Sequence, residues 1–343
     1  MTNKNFTTKD IMRYRSELYG IAIILIVIYH ISDYTWATFL SEQNDIFYQY
    51  VKTFLDNFRF AVDLFLFLSP IGLFRSMQKN GTKTFYINRI KRVLIPALII
   101  FIPYYIYIDF FARQKTFLFY LGDITTINFW IPNVSYSYWY VASILVLYAL
   151  YPLFYKLEQK TKHISTYILF LLSIGITIYI NLCPSPYTSQ IEIILSRLPV
   201  FFLGMLLTRL FTKEYKIPWW VTLITFILWV TTLILLFNFG CSNLFRLLGS
   251  LFAVLSAVMF SFVIKKGKRF TYVLFTPIRF IGNYTLEIYI LHLVCANIIA
   301  RNLSWDLFGG AVWMLIILAV SLLLSLLVRL ITNLITKQKI KIT

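Results

Sequence analysis

The chain has 343 residues, 59% hydrophobic and 13% charged, with a mean hydropathy of +0.74. Soluble domains carry about 25% charged residues, and apolar runs of 18 or more recur here, so composition excludes a soluble globule and implies a polytopic all-α membrane protein. The net charge of +18 does not point to nucleic acid, because the Lys and Arg lie in short gaps between apolar runs, and a β-barrel would show short alternating segments instead.

Ten spans are expected, at about residues 18–37, 58–76, 93–111, 137–155, 164–182, 191–210, 218–237, 244–264, 277–299 and 311–335. The first is followed by "SDYTWATFL", which has no small-x-small cleavage site, so it reads as a retained span. Basic gaps alternate with poor ones. The N-terminus has Lys4, Lys9, Arg13 and Arg15, and the second gap has Arg75, Lys79, Lys83, Arg89, Lys91 and Arg92. Lys156, Lys160 and Lys162, then Arg209, Lys213 and Lys216, then Lys265, Lys266, Lys268 and Arg269 follow, with Lys337, Lys339 and Lys341 in the tail. The other gaps hold Glu42, Asp45, Asp56, Asp123 and Asp306. Both termini, about residues 1–15 and 336–343, are therefore expected on the cytoplasmic face of a cell membrane. One transmembrane domain, 1–343, accounts for the chain. Pro96 and Pro103 predict kinks in the third span. The loop at 112–136, rich in aromatics, reads as a lid or re-entrant piece. The three cysteines have no metal spacing; Cys183 and Cys241 read either as an outer-face disulfide or as free thiols.

Ionisable groups inside spans are costly and carry a functional hypothesis by default. They are His30, Arg59, Asp63, Glu192, Arg197, Glu287 and His292, with Asp33 and Arg279 nearer the ends. Helix rise puts His30 ~18 Å from the cytoplasmic start of its span, Glu287 and His292 ~15 and ~22 Å along theirs, and Asp63 and Arg197 ~8–9 Å below the outer surface. These depths define one polar layer in the outer half of the bilayer. Arg59 and Asp63 are one turn apart and predict an ion pair; Asn283 and Glu287 share a face. Singly, each group also reads as structural: a helix–helix hydrogen bond for His30, a helix-end cap for His292, snorkelling for Arg197. Jointly they suggest a cavity in which an imidazole acts as base with a carboxylate orienting it, or a transport pathway. On the cytoplasmic side "FYINRIKRVLIP" places Arg89 and Arg92 three apart, either as ordinary positive-inside charge or as a phosphate clamp.

These segments resemble the integral-membrane acyltransferase family 3, which includes bacterial O-acyltransferases of surface polysaccharides. "ELYGIAIILIVIYH" resembles the first-span motif ending in the family's essential histidine, here His30. "FAVDLFLFLSPIGLFRS" resembles the second, with Asp63 and Ser69 matched and Pro70 where Gly is usual. Arg89, Arg92 and Pro96 match the loop motif, and Trp139, Tyr148 and Pro152 the fourth span. Arg197, Phe201 and Gly204 match the sixth, and Tyr289 and His292 the late Tyr-Leu-x-His motif. The usual first-span arginine is Tyr19 here; Arg15 lies one turn earlier as a substitute, and Pro70 is expected to bend the second span.

The resemblance implies O-acetylation or a similar transfer, from cytoplasmic acyl-CoA to a hydroxyl of a cell-surface or lipid-linked glycan, in a bacterial cell membrane. Acyl-CoA would be a co-substrate; no resident cofactor or metal is implied. On this reading Arg89 and Arg92 hold donor phosphates. His30 is general base or transient acyl carrier, and Glu287 or Asp63 orients it or balances its charge. Arg197, Arg59, Trp139 and His292 contact the acceptor. Membrane lipid and a separate envelope-assembly partner complete the expected contacts. The alternative is a polysaccharide or glycolipid exporter, which needs the cavity but no donor.

Overall fold

The computed structural model describes residues 5–39, 46–134, 136–185, 190–239, 245–302 and 310–337. A backbone in lipid must satisfy its own hydrogen bonds, and a helix does so locally. Accordingly the described residues form a helical bundle, whose one β-type contact is an isolated bridge between Thr7 and Lys216. In order the helices are α1 (Thr8–Arg13), α2 (Arg15–Phe39), α3 (Ile46–Asp56), α4 (Ala61–Arg89), α5 (Ile95–Tyr105), α6 (Phe117–Ile124), α7 (Trp139–Thr161) and α8 (Ile164–Leu182). They continue with α9 (Glu192–Leu195), α10 (Leu198–Thr212), α11 (Trp219–Phe239), α12 (Phe245–Lys266), α13 (Lys268–Gly282), α14 (Thr285–Asn302) and α15 (Gly310–Thr336). Cys241, Glu42, Asp45 and Asp306 lie outside the described residues; Cys183 is an exposed free thiol.

Eight helical runs are long and apolar enough to cross a membrane, so the chain is a polytopic all-α membrane protein. One of them, Tyr50–Ala112, has 63 residues. At 1.5 Å per residue it is about three bilayer cores long, so it supplies two of the ten expected spans. Its sharp break is at Gly81, with φ of 70°, a conformation costly for any residue with a Cβ. The helix passes Pro70 with helical dihedrals, so the bend expected there is instead eleven residues on. The prolines of the third span are accompanied by π-helical turns, Ile90–Leu94 before Pro96 and Ile106–Ala112 after Pro103.

The ninth expected span is the other departure. Residues 277–299 are not one helix; α13 ends at Gly282 and α14 begins at Thr285. A Cβ on Gly282 would lie 1.8 Å from the Ser16 carbonyl oxygen, and one on Gly20 would lie 2.0 Å from that of Ile278. The backbones of α13 and α2 therefore touch, and the chain turns there. A helix end leaves carbonyls without partners; Arg329 Nη2 on α15 donates to Asn283 O at 2.8 Å.

The enclosed centre is α2, α4, α10 and α14, with Leu66, Phe67, Phe201 and Ile290 buried. Helices α8, α11 and α15 turn Leu171, Trp220 and Leu323 outward, as hydrocarbon-facing helices do. At the end carrying the termini, Thr7 and Asp10 cap α1, and Lys265 Nζ reaches Asp10 Oδ2 at 2.6 Å, tying α1 to α12. At the opposite end α6 and a 3-10 turn at Ile127–Trp130 form a packed cap over α5, so the expected loop is ordered.

Candidate active site

The site is built on the middle of α2. His30 Nδ1 lies 3.1 Å from Ile26 O, one turn back, and 3.1 Å from His292 Nε2 on α14. His292 Nδ1 in turn lies 3.0 Å from Ile288 O. A carbonyl only accepts, so in neutral rings both Nδ1 atoms carry the proton. His30 then donates to the free lone pair of His292 Nε2. Its own Nε2 keeps the one uncommitted lone pair of the couple. His292 is fully enclosed, whereas His30 lines a cavity of about 140 Å³ with Tyr29, Arg59, Trp139, Arg197, Arg246 and Tyr289.

The structure thus brings together His30, Arg59, Arg197 and Trp139 of the predicted set. His292 stands behind His30 and is not among the residues that line the cavity. Glu287 does not reach His30. It lies five residues before His292, about 140° around the helix. Because α14 starts at Thr285, it is also within the first turn instead of deep in a span. It pairs with Arg329 Nε at 2.9 Å. Asp63 is also absent from His30; its Oδ1 accepts from Arg197 Nε at 3.0 Å, and Oδ2 is buried without a hydrogen-bond partner. The expected Arg59–Asp63 pair is not made, because Asn57–Phe60 is wound as a 3-10 turn and α4 starts only at Ala61. No carboxylate among the described residues hydrogen-bonds His30; a second imidazole fills the place expected for one.

Arg197 is fixed on three sides: by Asp63, by Ile193 O at 3.0 Å, and by the Trp139 ring, 5.0 Å from its guanidinium carbon. A Cβ on Gly204 would sit 2.3 Å from Phe67 O, and this close crossing of α10 and α4 brings Arg197 to Asp63. Two arginines were missed in the sequence. Arg246 stands at the start of a span on the face poor in basic residues, where an arginine is out of pattern. Arg329 is an uncounted charge inside the last span.

Towards the terminal end of α2 lies a second polar layer. Arg15 places its guanidinium 4.8 Å from the Tyr19 ring and against Gly72, where a side chain would collide with it. Arg15 therefore reaches the level of Tyr19. Arg89 is half-buried, 5.8 Å from the Tyr148 ring, whose hydroxyl donates to Ser69 Oγ at 3.2 Å. Arg92 is exposed, so the pair is not one flat face; the π-turn from Ile90 turns one arginine inward and one outward. Among the described residues no carboxylate pairs with Arg15, Arg89 or Arg92. A second, apolar cavity of about 190 Å³ lies between α2, α4, α11 and α12, lined by Leu25, Phe60, Trp229 and Phe252 among others.

A family model described as an acyltransferase domain matches residues 18–330. No curated protein and no solved structure matches the chain.

Proposed function

The chain belongs to the family of membrane acyltransferases, and from that premise we propose that it moves an acyl group, acetyl in the simplest case, from acyl-CoA to a glycan hydroxyl. The observation that carries the reading is the His30–His292 couple at the cavity, with Arg15 further down the same helix and Arg89 and Arg92 at and just past the end of α4, none paired with a carboxylate among the described residues. The donor's phosphates would meet Arg15, Arg89 and Arg92 from the cytoplasm, where guanidinium forks suit phosphate. The thioester would extend along α2 to His30. His30 Nε2 takes the proton of the acceptor hydroxyl as its oxygen bonds to the thioester carbon. The carbon–sulfur bond then breaks, and the proton returns from His30 to the departing thiolate. His292 Nε2 accepts from His30 Nδ1 and stabilises the positive charge that develops on the ring. Arg197, held in place by Asp63 and Ile193 O, would donate a remaining guanidinium N–H to the carbonyl oxygen as charge grows there. The acceptor is a cell-surface or lipid-linked glycan on the outer side of a bacterial cytoplasmic membrane, and no resident cofactor or metal is needed. The exporter alternative can use the histidine couple as a proton relay, but it needs no acyl donor and gives Arg15, Arg89 and Arg92 no phosphate to hold.

The test is CoA release and acyl transfer by the purified protein in detergent, with several acyl-CoA donors. His30→Ala should reduce turnover by at least about 100-fold, the scale of general-base catalysis. Retained turnover in that variant, at normal folded yield, would sink the assignment.

A further inference from the structure

Among the described residues, the cavity in front of His30 has three arginines in its wall and no carboxylate. Arg197 is already neutralised by Asp63. The other two are not matched in that way. Arg246 donates through Nη1 to Ser196 Oγ at 2.8 Å and to the main-chain oxygen of Glu192 at 3.4 Å, both uncharged acceptors. Arg59 buries its Nε without a hydrogen-bond partner. Of the described acids nearest the cavity, Asp33 and Asp56 are engaged elsewhere: both take Lys52, at 3.4 and 3.2 Å. The Asp63 and Glu192 carboxylates both act on Arg246 from outside the wall and offset part of its charge, but Asp63 is shared with Arg197, so the three arginines outnumber the two acids. Two guanidinium groups facing a small, partly open cavity near the ends of spans are costly unless an anion joins them.

We propose that the acceptor carries an oxyanion, a carboxylate or a phosphate, which Arg59 and Arg246 receive while its reacting hydroxyl stands at His30. A guanidinium fork matches either group with two parallel hydrogen bonds. The anion site stands on the cavity itself; only the name acceptor rests on the acyl-transfer reading. Arginines that served only the oxyanion formed from the donor would be indifferent to the acceptor's charge.

The test is equilibrium binding to the purified protein in a nonionic detergent. Two pairs of probes differ only in the anion: p-nitrophenyl glucuronide against p-nitrophenyl glucoside, and farnesyl phosphate against farnesol. The anionic member of at least one pair should bind about tenfold more tightly, equivalent to ~1.4 kcal/mol. The sugar pair reports a carboxylate and the lipid pair a phosphate. The preference should fall to near unity in Arg59→Gln/Arg246→Gln and be partly lost in Arg59→Gln alone, which keeps a readout if the double variant does not fold. Equal binding within both pairs, or a preference that survives these substitutions, overturns the proposal. CoA release without an anion preference overturns this proposal and leaves acyl transfer standing; an anion preference with no CoA release from any donor does the reverse.

Discussion

At the scale of single residues, a second histidine orients the first where a carboxylate is more usual. His292 supplies a neutral acceptor, so the couple carries no fixed negative charge to offset a protonated His30. Its worth is one buried hydrogen bond, and losing such a partner costs about 1–3 kcal/mol, or roughly 5–150-fold in rate. His292→Leu should therefore lower kcat by that factor, with little change in donor KM. His292→Gln, whose amide oxygen can still accept from His30 Nδ1, should recover part of it; equal loss in both variants would reduce His292 to packing. Asp123, in the outer cap, is the other informative residue. Burial, with Asp109 beside it, lifts its acid to about 7 against the pull of the Asn128 amide and of Arg113, which lies 3.8 Å away. An acid raised in the folded state holds a proton that the unfolded chain has already lost above about pH 4. The cap is thus most stable on the acid side, loses stability as pH rises towards 7, and is level beyond. Hydrogen-exchange protection over α6, corrected for intrinsic rate, should fall from pH 5 to 8, and Asp123→Asn should flatten that slope.

At the scale of elements, the contact of α2 with α13 has the least room. A Cβ at Gly282 or Gly20 would meet backbone oxygen, which cannot rotate away. Overpacking of this kind costs about 1–3 kcal/mol. Gly282→Val should lower the thermal midpoint of the solubilised protein by several degrees. Gly175→Val on α8 is the control, because a Cβ there meets nothing within 4 Å. An equal shift in both would contradict the close crossing. Helix α14, which carries His292, starts from this crossing, so Gly282→Val is also expected to reduce turnover.

At the scale of the molecule, lipid makes much of the fold readable. A span must be long and apolar, so nine of the ten expected spans appear within the eight long helical runs. The break in the ninth was not readable, because it is made by Ser16 against Gly282 and by Arg329 reaching Asn283, contacts between segments far apart in the chain. The same holds for ion partners. Asp63 finds Arg197 134 positions away and Glu287 finds Arg329 42 away, while the local rule offered only Arg59. His30 was legible through its motif and its depth, Arg59 and Arg197 as charges inside spans, and Trp139 through the fourth-span motif alone. The couple with His292, 262 positions on, needed the fold.

Helix α2 carries both Arg15 and His30, fifteen residues or ~22 Å apart. On the reading proposed above, it is a ruler held between the donor's phosphates and the bond to be broken. A ruler of this kind has coarse graduations. Adding or deleting one residue changes the length by only ~1.5 Å but turns everything beyond it by ~100°. His30 would then face away from His292 long before the spacing was wrong. The measure can be recut only in near-whole turns, so lineages that lengthen or shorten the first span should do so by three or four residues at a time.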